Sequence, residues 1–533
     1  MPAVCPARRA FVCLTLRRAA PALCAISLAA SACQNRADER TNQSALVGVA
    51  SASELPSRAP ALTSATPGAD AATPANAEDA GVSSAPARPS VYAKTRYVWI
   101  REEPDGDTQW IGYLWIGGQV ARRSSETRSS PACKTWYPVE PRGWVCVNGE
   151  NATLDPNDDT YRALKKYGPD LSSAWPHRYA ESRGAERYRE IPSPQQQRQR
   201  EWDVATHLAR LADAGANRVE LLPSPAALVD IGKPPSTIYE NRTRLRPQST
   251  VAYSAEMVAH ARSWLLTHDF MWVPKDRVTP YPKIEFQGVE LGKRAKLPLA
   301  FFRGKDRPKY RRLPSGEFVE TGASFPRLSY VELSEDRHVV EKDAYLLTRE
   351  PGIYVKEKDA VVPTPQKKTP WGAPVGGEDA TGLTPRGRAT WIEVSVWKGW
   401  LIAYEGTRPV YATLISPGRG GTPVPDKDPL ETASTPTGTF KITGKFATAT
   451  MEAPNEFIHS DVPWTQNFSG PHALHGAYWH DDWGNRKSAG CVNVSPVDGR
   501  WLFRFTEPVM PEGWHGLRWL PYLEPATTFI VHQ

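Results

Sequence analysis

The sequence lacks any run of Lys and Arg residues, and it has no basic patch interleaved with aromatic side chains. Its 65 Lys and Arg residues stand against 58 Asp and Glu residues, so the net charge is +7, which is modest for 533 residues. Proteins that bind nucleic acid usually concentrate positive charge on one face. The composition therefore argues against nucleic-acid binding, while a mild positive balance is compatible with an anionic cell envelope.

Cysteine is scarce, and none lies between Cys146 and Cys491. Four of the seven cysteines fall within the first 33 residues, two form a close pair, and one stands alone near the C-terminus. This grouping predicts three separate roles.

Pro and Trp are abundant, at 50 and 19 residues, and with the short apolar runs they favour β-rich modules over helical bundles. We therefore expect a mainly β, multidomain protein.

The apolar run at the N-terminus is too short to span a bilayer comfortably. Residues 19–32 follow four arginines and precede Cys33, a pattern that predicts an export signal over residues 1–33. The stretch Ala30-Ser31-Ala32-Cys33 resembles a lipoprotein signal, although that class usually has Leu where this chain has Ala30. The resemblance implies acylation of Cys33 and a lipid anchor in the membrane. The alternative is a secretory signal cut near Ala32, and both predict a protein of the periplasm or cell envelope.

Residues 34–90 contain almost no aromatic residues and are rich in Ala, Ser, Thr and Pro. Such a stretch cannot bury enough apolar surface to offset the entropy of ordering the chain. We predict a disordered tether, which would give an anchored protein reach into the periplasm.

Residues 91–155 alternate aromatic and polar residues in short runs that Gly and Pro turns divide. The pattern predicts a small β-module, and it resembles the SH3-like domains of bacterial wall-associated proteins. Cys133 and Cys146 lie 13 residues apart across a predicted hairpin, so in an exported protein a disulfide is the expected state. The alternative is a zinc pair, which lacks two further ligands at suitable spacing.

Residues 156–290 give a mixed α/β pattern without a catalytic constellation, and their role is not predicted. Apolar residues at helical spacing predict one helix, ended by Gly215: Val204, Leu208 and Leu211. A second helix is predicted to be capped by Ser254 and to run through Leu265.

Strand-like runs return in residues 291–362 and predict a second SH3-like β-module. Residues 363–388, with Pro, Gly and Thr, predict a linker. From Ala389 onward, alternating strands separated by tight turns predict a β-meander.

Cys491 lies in the segment Ser488-Ala489-Gly490-Cys491-Val492-Asn493, and His475 lies 16 residues upstream in a His-Gly pair. A Gly before a Cys allows backbone N–H groups to face the same point as the sulfur, as an acyl-transfer site requires. Because a thiol with a pKa of about 8.5 is mostly protonated at neutral pH, a base or cation must lie near it. The residues themselves therefore predict cysteine acyl transfer, with Cys491 as nucleophile and His475 as general base.

These motifs resemble the signature of the L,D-transpeptidases that cross-link peptidoglycan, over residues 389–533. Other segments fit the family in the same order: Ser416-Pro417-Gly418, Thr435-Pro436-Thr437-Gly438-Thr439-Phe440, residues 462–468 and residues 495–503. The resemblance implies a β-sandwich catalytic domain with a short helix after the catalytic Cys. One position departs, because the family often has His immediately before the Gly-Cys pair and this chain has Ala489.

The resemblance also implies a reaction. Cys491 would attack the amide after the third residue of a peptidoglycan stem tetrapeptide and form a thioester, and a side-chain amine of a second stem would complete a 3–3 cross-link. No cofactor or metal is required. His475 would move the protons, and the backbone N–H groups of Gly490 and Cys491 would hold the oxyanion. The residues expected to bind the substrate are Gly476, Tyr478, Trp479, Ser488 and Asn493.

Several alternatives remain open. The spacing of a possible zinc site, made of His472, His475, His480 and Cys491, fits no standard pattern. Water as acceptor would make the enzyme a carboxypeptidase or endopeptidase, and a protein Lys as acceptor would tether an envelope protein to the wall. A wall-binding scaffold with a decayed catalytic domain is the non-enzymatic alternative. Nothing in the sequence predicts an oligomeric state.

Overall fold

The computed structural model of the protein describes residues 88–213, 242–377, 383–384, 387–452 and 458–533. The predicted export signal, its Cys33 and most of the predicted tether lie outside these residues. Among the residues that are described, no helix is both long and apolar enough to cross a membrane.

Residues 88–155 form the short strands that the sequence predicts, while the bounds of a separate module and its likeness to SH3 domains stay predictions. Cys133 at the start of β6 and Cys146 at the end of β7 form a disulfide across an antiparallel pair, with a Cα–Cα distance of 6.0 Å. The strands are β1 (Ser90–Ala93), β2 (Val98–Arg101), β3 (Trp110–Leu114), β4 (Gln119–Ala121), β5 (Arg128–Ser130), β6 (Cys133–Pro138), β7 (Trp144–Cys146) and β8 (Ala152–Thr153).

Residues 156–290 combine helices with a five-stranded sheet in the order β12-β11-β10-β9-β13. The helix predicted from Val204 is confirmed as α3, while Gly215 lies outside the described residues. The elements are α1 (Asp159–Lys166), β9 (Arg178–Ser182), α2 (Pro194–Arg200), α3 (Val204–Asp213), β10 (Thr250–Ala259), β11 (Arg262–Thr267), β12 (Trp272–Pro274), the 3-10 turn Lys275–Arg277, β13 (Val278–Pro280) and β14 (Val289–Glu290).

The helix predicted from Ser254 to Leu265 is wrong, because this segment is the hairpin β10–β11. Ala259 pairs with Arg262, so His260 and Ala261 form a two-residue turn, and both have positive φ, at 52° and 59°. Tight hairpins need this left-handed backbone, and Asn-Gly is its usual sequence signal. The turn carries no such signal, which explains the error. The Ser254 hydroxyl donates to the Tyr167 carbonyl at 2.7 Å.

Residues 291–362 form a six-stranded sheet in the order β15-β18-β19-β20-β16-β17. The strands predicted here are confirmed, and the SH3-like assignment stays a prediction. The strands are β15 (Leu299–Phe301), β16 (Arg307–Arg312), β17 (Phe318–Phe325), β18 (Tyr330–Val340), β19 (Asp343–Thr348) and β20 (Tyr354–Lys356), and a 3-10 turn follows at Glu357–Asp359.

The C-terminal region is a β-sandwich, as predicted, with the meander β23–β24–β25 in one sheet. Its elements are β21 (Leu383–Thr384), β22 (Gly387–Arg388), β23 (Thr390–Ser395), β24 (Trp400–Glu405), β25 (Arg408–Leu414), α4 (Pro429–Thr432), β26 (Gly438–Lys441), β27 (Gly444–Glu452), β28 (Ile458–Ser469), β29 (His472–Gly476), β30 (Val492–Val494), α5 (Pro496–Phe505), β31 (Gly516–Arg518) and β32 (Thr528–His532). Completely buried residues of both sheets and of helix α5 share one core: Ile392, Val394, Leu401, Leu474, Val492, Val494, Leu502 and Phe529.

The second sheet of the sandwich continues into the N-terminal module. Its ten strands run in the order β30-β29-β28-β27-β31-β3-β2-β7-β6-β5. The join is the pairing of β31 with β3, where Gly112 faces Leu517 and Tyr113 faces Gly516. Only glycine fits at Gly112, since an added Cβ would lie 2.2 Å from the Trp514 ring. The first sheet likewise gains β14 as an edge strand beside β25.

Helix α5, which follows Cys491, is fixed at both ends. Ser495 accepts a hydrogen bond from the Asp498 N–H at the start of the helix, and Pro496 occupies its first turn. At the other end, the completely buried Lys445 donates to the carbonyls of Phe503 and Thr506 at 2.6 and 2.8 Å. A cation here also interacts favourably with the negative end of the helix dipole.

We predict that Lys445 makes stability depend on pH. Burial lowers its pKa to about 7 in the folded protein, whereas a Lys in an unfolded chain has a pKa of about 10.4. Between these values the unfolded chain binds more protons, so the free energy of unfolding rises with pH, by up to about 1.4 kcal/mol per unit. Lys445→Met loses this slope and leaves two carbonyls without their donor.

Urea unfolding of both proteins at pH 7, 8 and 9 measures the effect. We expect the stability advantage of the wild type over Lys445→Met to grow steadily with pH. A difference that stays constant across this range would contradict the prediction.

Candidate active site

The pairing of two short parallel strands, β29 and β30, brings the segments that carry His475 and Cys491 side by side. In the register of β29 and β30, Leu474 faces Val492 and His475 faces Asn493. Leu474 and Val492 point into the core of the sandwich. Because side chains alternate along a strand, His475 and Asn493 point to the opposite face. Cys491 lies immediately before β30, next to the backbone of Ala473 in β29.

His475 is buried as a neutral imidazole. Its side chain is 2% exposed, and burial lowers its pKa to about 4. Nδ1 lies 3.4 Å from the Gly476 carbonyl, and since a carbonyl can only accept, the ring proton resides on Nδ1. This tautomer leaves the lone pair of Nε2 available as a base.

Cys491 is the free cysteine of the described residues, and it keeps some exposed surface. Burial of the sulfur raises its pKa to about 11, against the smaller opposing effect of the Ala473 backbone. At neutral pH the pair is therefore a thiol beside a neutral imidazole, and not a thiolate–imidazolium pair. Within the described part of the chain, no hydrogen bond joins the thiol to His475, so the proton would move as the sulfur attacks.

A tight turn at residues 488–491 precedes β30, and it engages two residues that have predicted roles. The Gly490 N–H donates to Ser488 Oγ at 3.0 Å, and the Ser488 hydroxyl donates to the Cys491 carbonyl at 2.5 Å. The Gly490 N–H is engaged in this bond, and its role in holding the oxyanion stays a prediction. Ser488, which was predicted to bind substrate, is 7% exposed, and its hydroxyl stabilises this turn.

Gly490 is required in this turn. Its φ is +130°, and an added Cβ would lie 2.8 Å from the His472 ring and 2.9 Å from the Ser434 carbonyl. Any larger residue would push the neighbouring Cys491 out of place.

Asn493 and His480 form a polar pair beside the thiol. Asn493 is 1% exposed, and its side-chain amide lies 3.2 Å from His480 Nε2. The Asp482 N–H donates to His480 Nδ1 at 3.3 Å, and burial lowers the pKa of His480 to about 4. The Asn493 backbone also exchanges two hydrogen bonds with Ser416. Asn493 is therefore part of the wall of the site, and its predicted contact with substrate stays a prediction.

Tyr478, which was predicted to bind substrate, is buried, and that role stays a prediction. Its side chain is 1% exposed, and its hydroxyl donates to the Ser460 carbonyl at 2.7 Å and lies 2.5 Å from Thr250 Oγ1. Its ring stacks on Tyr179 at a centroid distance of 3.7 Å. Tyr478 thus joins the catalytic domain to residues 156–290.

Gly476 and Trp479 differ in their access to the site. An added Cβ on Gly476 would lie 3.1 Å from Pro496 and 3.2 Å from Pro463, so this residue allows close packing. Trp479 keeps exposed surface, stacks on His459 at 3.9 Å and lies 5.7 Å from the His475 ring. Trp479 is the predicted substrate-binding residue that the structure leaves best placed to line a groove.

Sequence reasoning missed the residues that reach the site from outside the catalytic domain. Tyr179 and Thr250 hold Tyr478, while Arg303 and Arg327 hold the segment that follows it. These contacts are long-range, and no local pattern marks such residues. The described residues contain no group of three His, Cys, Asp or Glu residues arranged to hold a metal ion.

Residues 389–512 match the family described as YkuD, the L,D-transpeptidase catalytic domain. No curated protein matches the sequence.

Solved structures of L,D-transpeptidases are also similar to this chain. A protein from Enterococcus faecium is 21% identical, with a TM-score of 0.20, over 27% of this chain and 50% of its own. One from Xylanimonas cellulosilytica is 24% identical, with a TM-score of 0.19, over 28% and 63%. One from Mycobacterium tuberculosis is 13% identical, with a TM-score of 0.20, over 43% and 79%.

This chain thus spans about half the length of the Enterococcus protein. The family match covers the meander, both strands of the site and helix α5. Residues 389–512 of this chain are a YkuD-type L,D-transpeptidase catalytic domain.

Proposed function

We propose that the protein is a cysteine acyltransferase that cross-links peptidoglycan. The observation that carries the proposal is the parallel pairing of β29 with β30, which sets His475 opposite Asn493, two residues from Cys491, within the region that matches the L,D-transpeptidase domain. A thiol, a base and a nearby turn are the parts that acyl transfer needs.

The first half of the reaction forms a thioester. Cys491 Sγ attacks the carbonyl carbon of the amide that follows the third residue of a stem tetrapeptide, while His475 Nε2 takes the thiol proton. The tetrahedral intermediate then breaks its C–N bond, and His475 returns the proton to the departing amine of the terminal D-residue. The burial that raises the thiol pKa supports proton transfer during attack, and the Cys491 N–H is our candidate for holding the oxyanion.

The second half consumes the thioester. A side-chain amine of a second stem attacks the same carbonyl carbon, His475 accepts the amine proton, and the C–S bond breaks as that proton returns to the sulfur. The product is a 3–3 cross-link and the free thiol. We also propose that the protein is exported to the cell envelope and anchored through an acylated Cys33, a position that lies outside the described residues.

We predict that Cys491→Ala abolishes turnover of disaccharide-tetrapeptide, because nothing replaces the sulfur as nucleophile. Mass spectrometry of the wild-type products identifies the acceptor: cross-linked dimers indicate transpeptidation, and tripeptide alone indicates hydrolysis. His475→Gln should retain the thiol but lose most of the rate, by a factor of about 10²–10⁴, the usual contribution of a general base.

A carbapenem provides a second readout, since it should acylate the wild type at Cys491 and leave Cys491→Ala unmodified. If the wild type neither forms this adduct nor turns over the tetrapeptide, the enzyme is not an acyltransferase and the scaffold alternative stands.

We further predict that alkylation of Cys491 by iodoacetamide accelerates with pH without reaching a plateau below pH 10. The thiolate is the reactive form, and a pKa of about 11 makes its fraction grow throughout this range. Peptide-resolved mass spectrometry measures the rate at each pH.

His475→Gln is the matched control, and it should show the same pH profile, because a neutral imidazole does not stabilise the thiolate. A plateau with a midpoint below pH 7 that disappears in His475→Gln would instead reveal a thiolate–imidazolium pair.

A further inference from the structure

The segment between His475 and Cys491 contains a loop that borders the site. We call residues 477–486 the site loop. It carries Trp479, whose ring lies 5.7 Å from that of His475, and His480, whose Nε2 lies 3.2 Å from the Asn493 amide. The position of this loop therefore determines what surrounds the thiol and its base.

Arg303, which lies outside the region that matches the family, holds the far end of the site loop. Its Nη1 donates to the Gly484 carbonyl at 2.6 Å. Gly484 has φ +86°, and an added Cβ would lie 3.0 Å from Arg303 Cδ and 3.1 Å from Arg303 Cβ. The aliphatic part of the arginine thus packs directly on the loop backbone while its guanidinium binds a main-chain acceptor.

Arg327 holds the middle of the same loop. Its Nη2 donates to the Asp481 carbonyl at 2.6 Å, and its Nη1 donates to Asp481 Oδ2 at 3.1 Å. The Asp481 side chain is 58% exposed, and an exposed ion pair contributes little. The bond to the main-chain carbonyl is therefore the one that fixes the backbone.

The two arginines flank the residues that connect the loop with the thiol. Between their anchor points lies Trp483, which is completely buried and 4.6 Å from the His480 ring. His480 contacts the amide of Asn493, which follows Cys491 by two residues and pairs with His475 across the strands. A shift of the loop backbone would reach the reacting atoms through this chain of contacts.

We propose that Arg303 and Arg327 are positioning residues for acyl transfer at Cys491, an inference that rests on the proposed function. The sheet of residues 291–362 is accordingly a part of the catalytic unit. Hydrogen bonds within the catalytic domain also hold this end of the loop, from the Gly484 N–H to the Ile415 carbonyl and from the Ser416 hydroxyl to the Asp482 carbonyl. The experiment has to distinguish the effect of the bonds from Arg303 and Arg327 from the effect of the bonds within the catalytic domain.

The variants Arg303→Met and Arg327→Met, alone and combined, remove the guanidinium donors and keep most of the aliphatic stem. Arg337→Met is the matched control. Arg337 lies in β18, within the sheet of residues 291–362, and it pairs with Glu357 in an exposed bridge of 2.7 Å that does not involve the site loop. Arg303→Lys restores one donor toward Gly484. All are made in the full chain, and thermal melts verify that each is folded.

We expect the double variant to lose about tenfold to a hundredfold in kcat toward disaccharide-tetrapeptide, the range that a misplacement of about 1 Å can produce. KM should change less, Arg303→Lys should recover part of kcat, and Arg337→Met should match the wild type. A purely structural role would lower the melting temperature and the active fraction, and the lost fraction would lower the apparent kcat without changing KM. We therefore express kcat per Cys491 thiol that a carbapenem acylates, and a kcat per active thiol equal to that of the wild type would contradict the proposal.

Hydrogen exchange of the amides in the site loop tests the proposal without activity. Exchange should accelerate in the double variant and stay unchanged in Arg337→Met. Wild-type exchange and wild-type kcat in the double variant would overturn the proposal, because the bonds to Ile415 and Asp482 would then suffice. If the wild type does not process the tetrapeptide, the proposed function fails, while exchange still decides whether the arginines hold the loop.

Discussion

The parallel pairing of β29 with β30 is the contact on which the site depends. Strand β30 is only three residues long, and it is held by Leu474 and Val492, which lie completely buried in the core of the sandwich. Parallel neighbours are joined by long connections, and here the connection is the segment that carries Trp479 and His480. Burial of one face of the two strands therefore orients the polar residues of the other face.

The same burial sets the protonation of the site. The imidazole of His475 and the thiol of Cys491 are both kept neutral, one by a lowered and the other by a raised pKa. A neutral pair is less reactive at rest than an ion pair, and in an oxidising compartment this protects a free thiol from unwanted chemistry. The nucleophile would then gain its reactivity only when a bound substrate completes the proton path.

The sequence was sufficient for features that depend on local pattern. The meander, helix α5 and the β-rich regions follow from alternation, turns and capping residues, and the Gly-Cys and His-Gly pairs supply the proposed nucleophile and base. It was insufficient where the deciding contact is long-range or lies in the backbone. The hairpin turn at His260 and Ala261 has no Gly, the Gly490 N–H is engaged by Ser488, and Tyr478 is buried by Tyr179 from another part of the chain.

The junction of β3 with β31 has a consequence for how the protein folds. The two strands come from opposite ends of the described chain, so the ten-stranded sheet cannot close until nearly all of the polypeptide is available. Closing so long a loop costs chain entropy before the contacts between its ends can form, and proteins with many long-range strand pairings fold slowly. In a chain that crosses a membrane from its N-terminus, the first strands would thus stay unpaired until the last strands have crossed. Unpaired strand edges are prone to aggregation, so a chaperone would be needed to cover them.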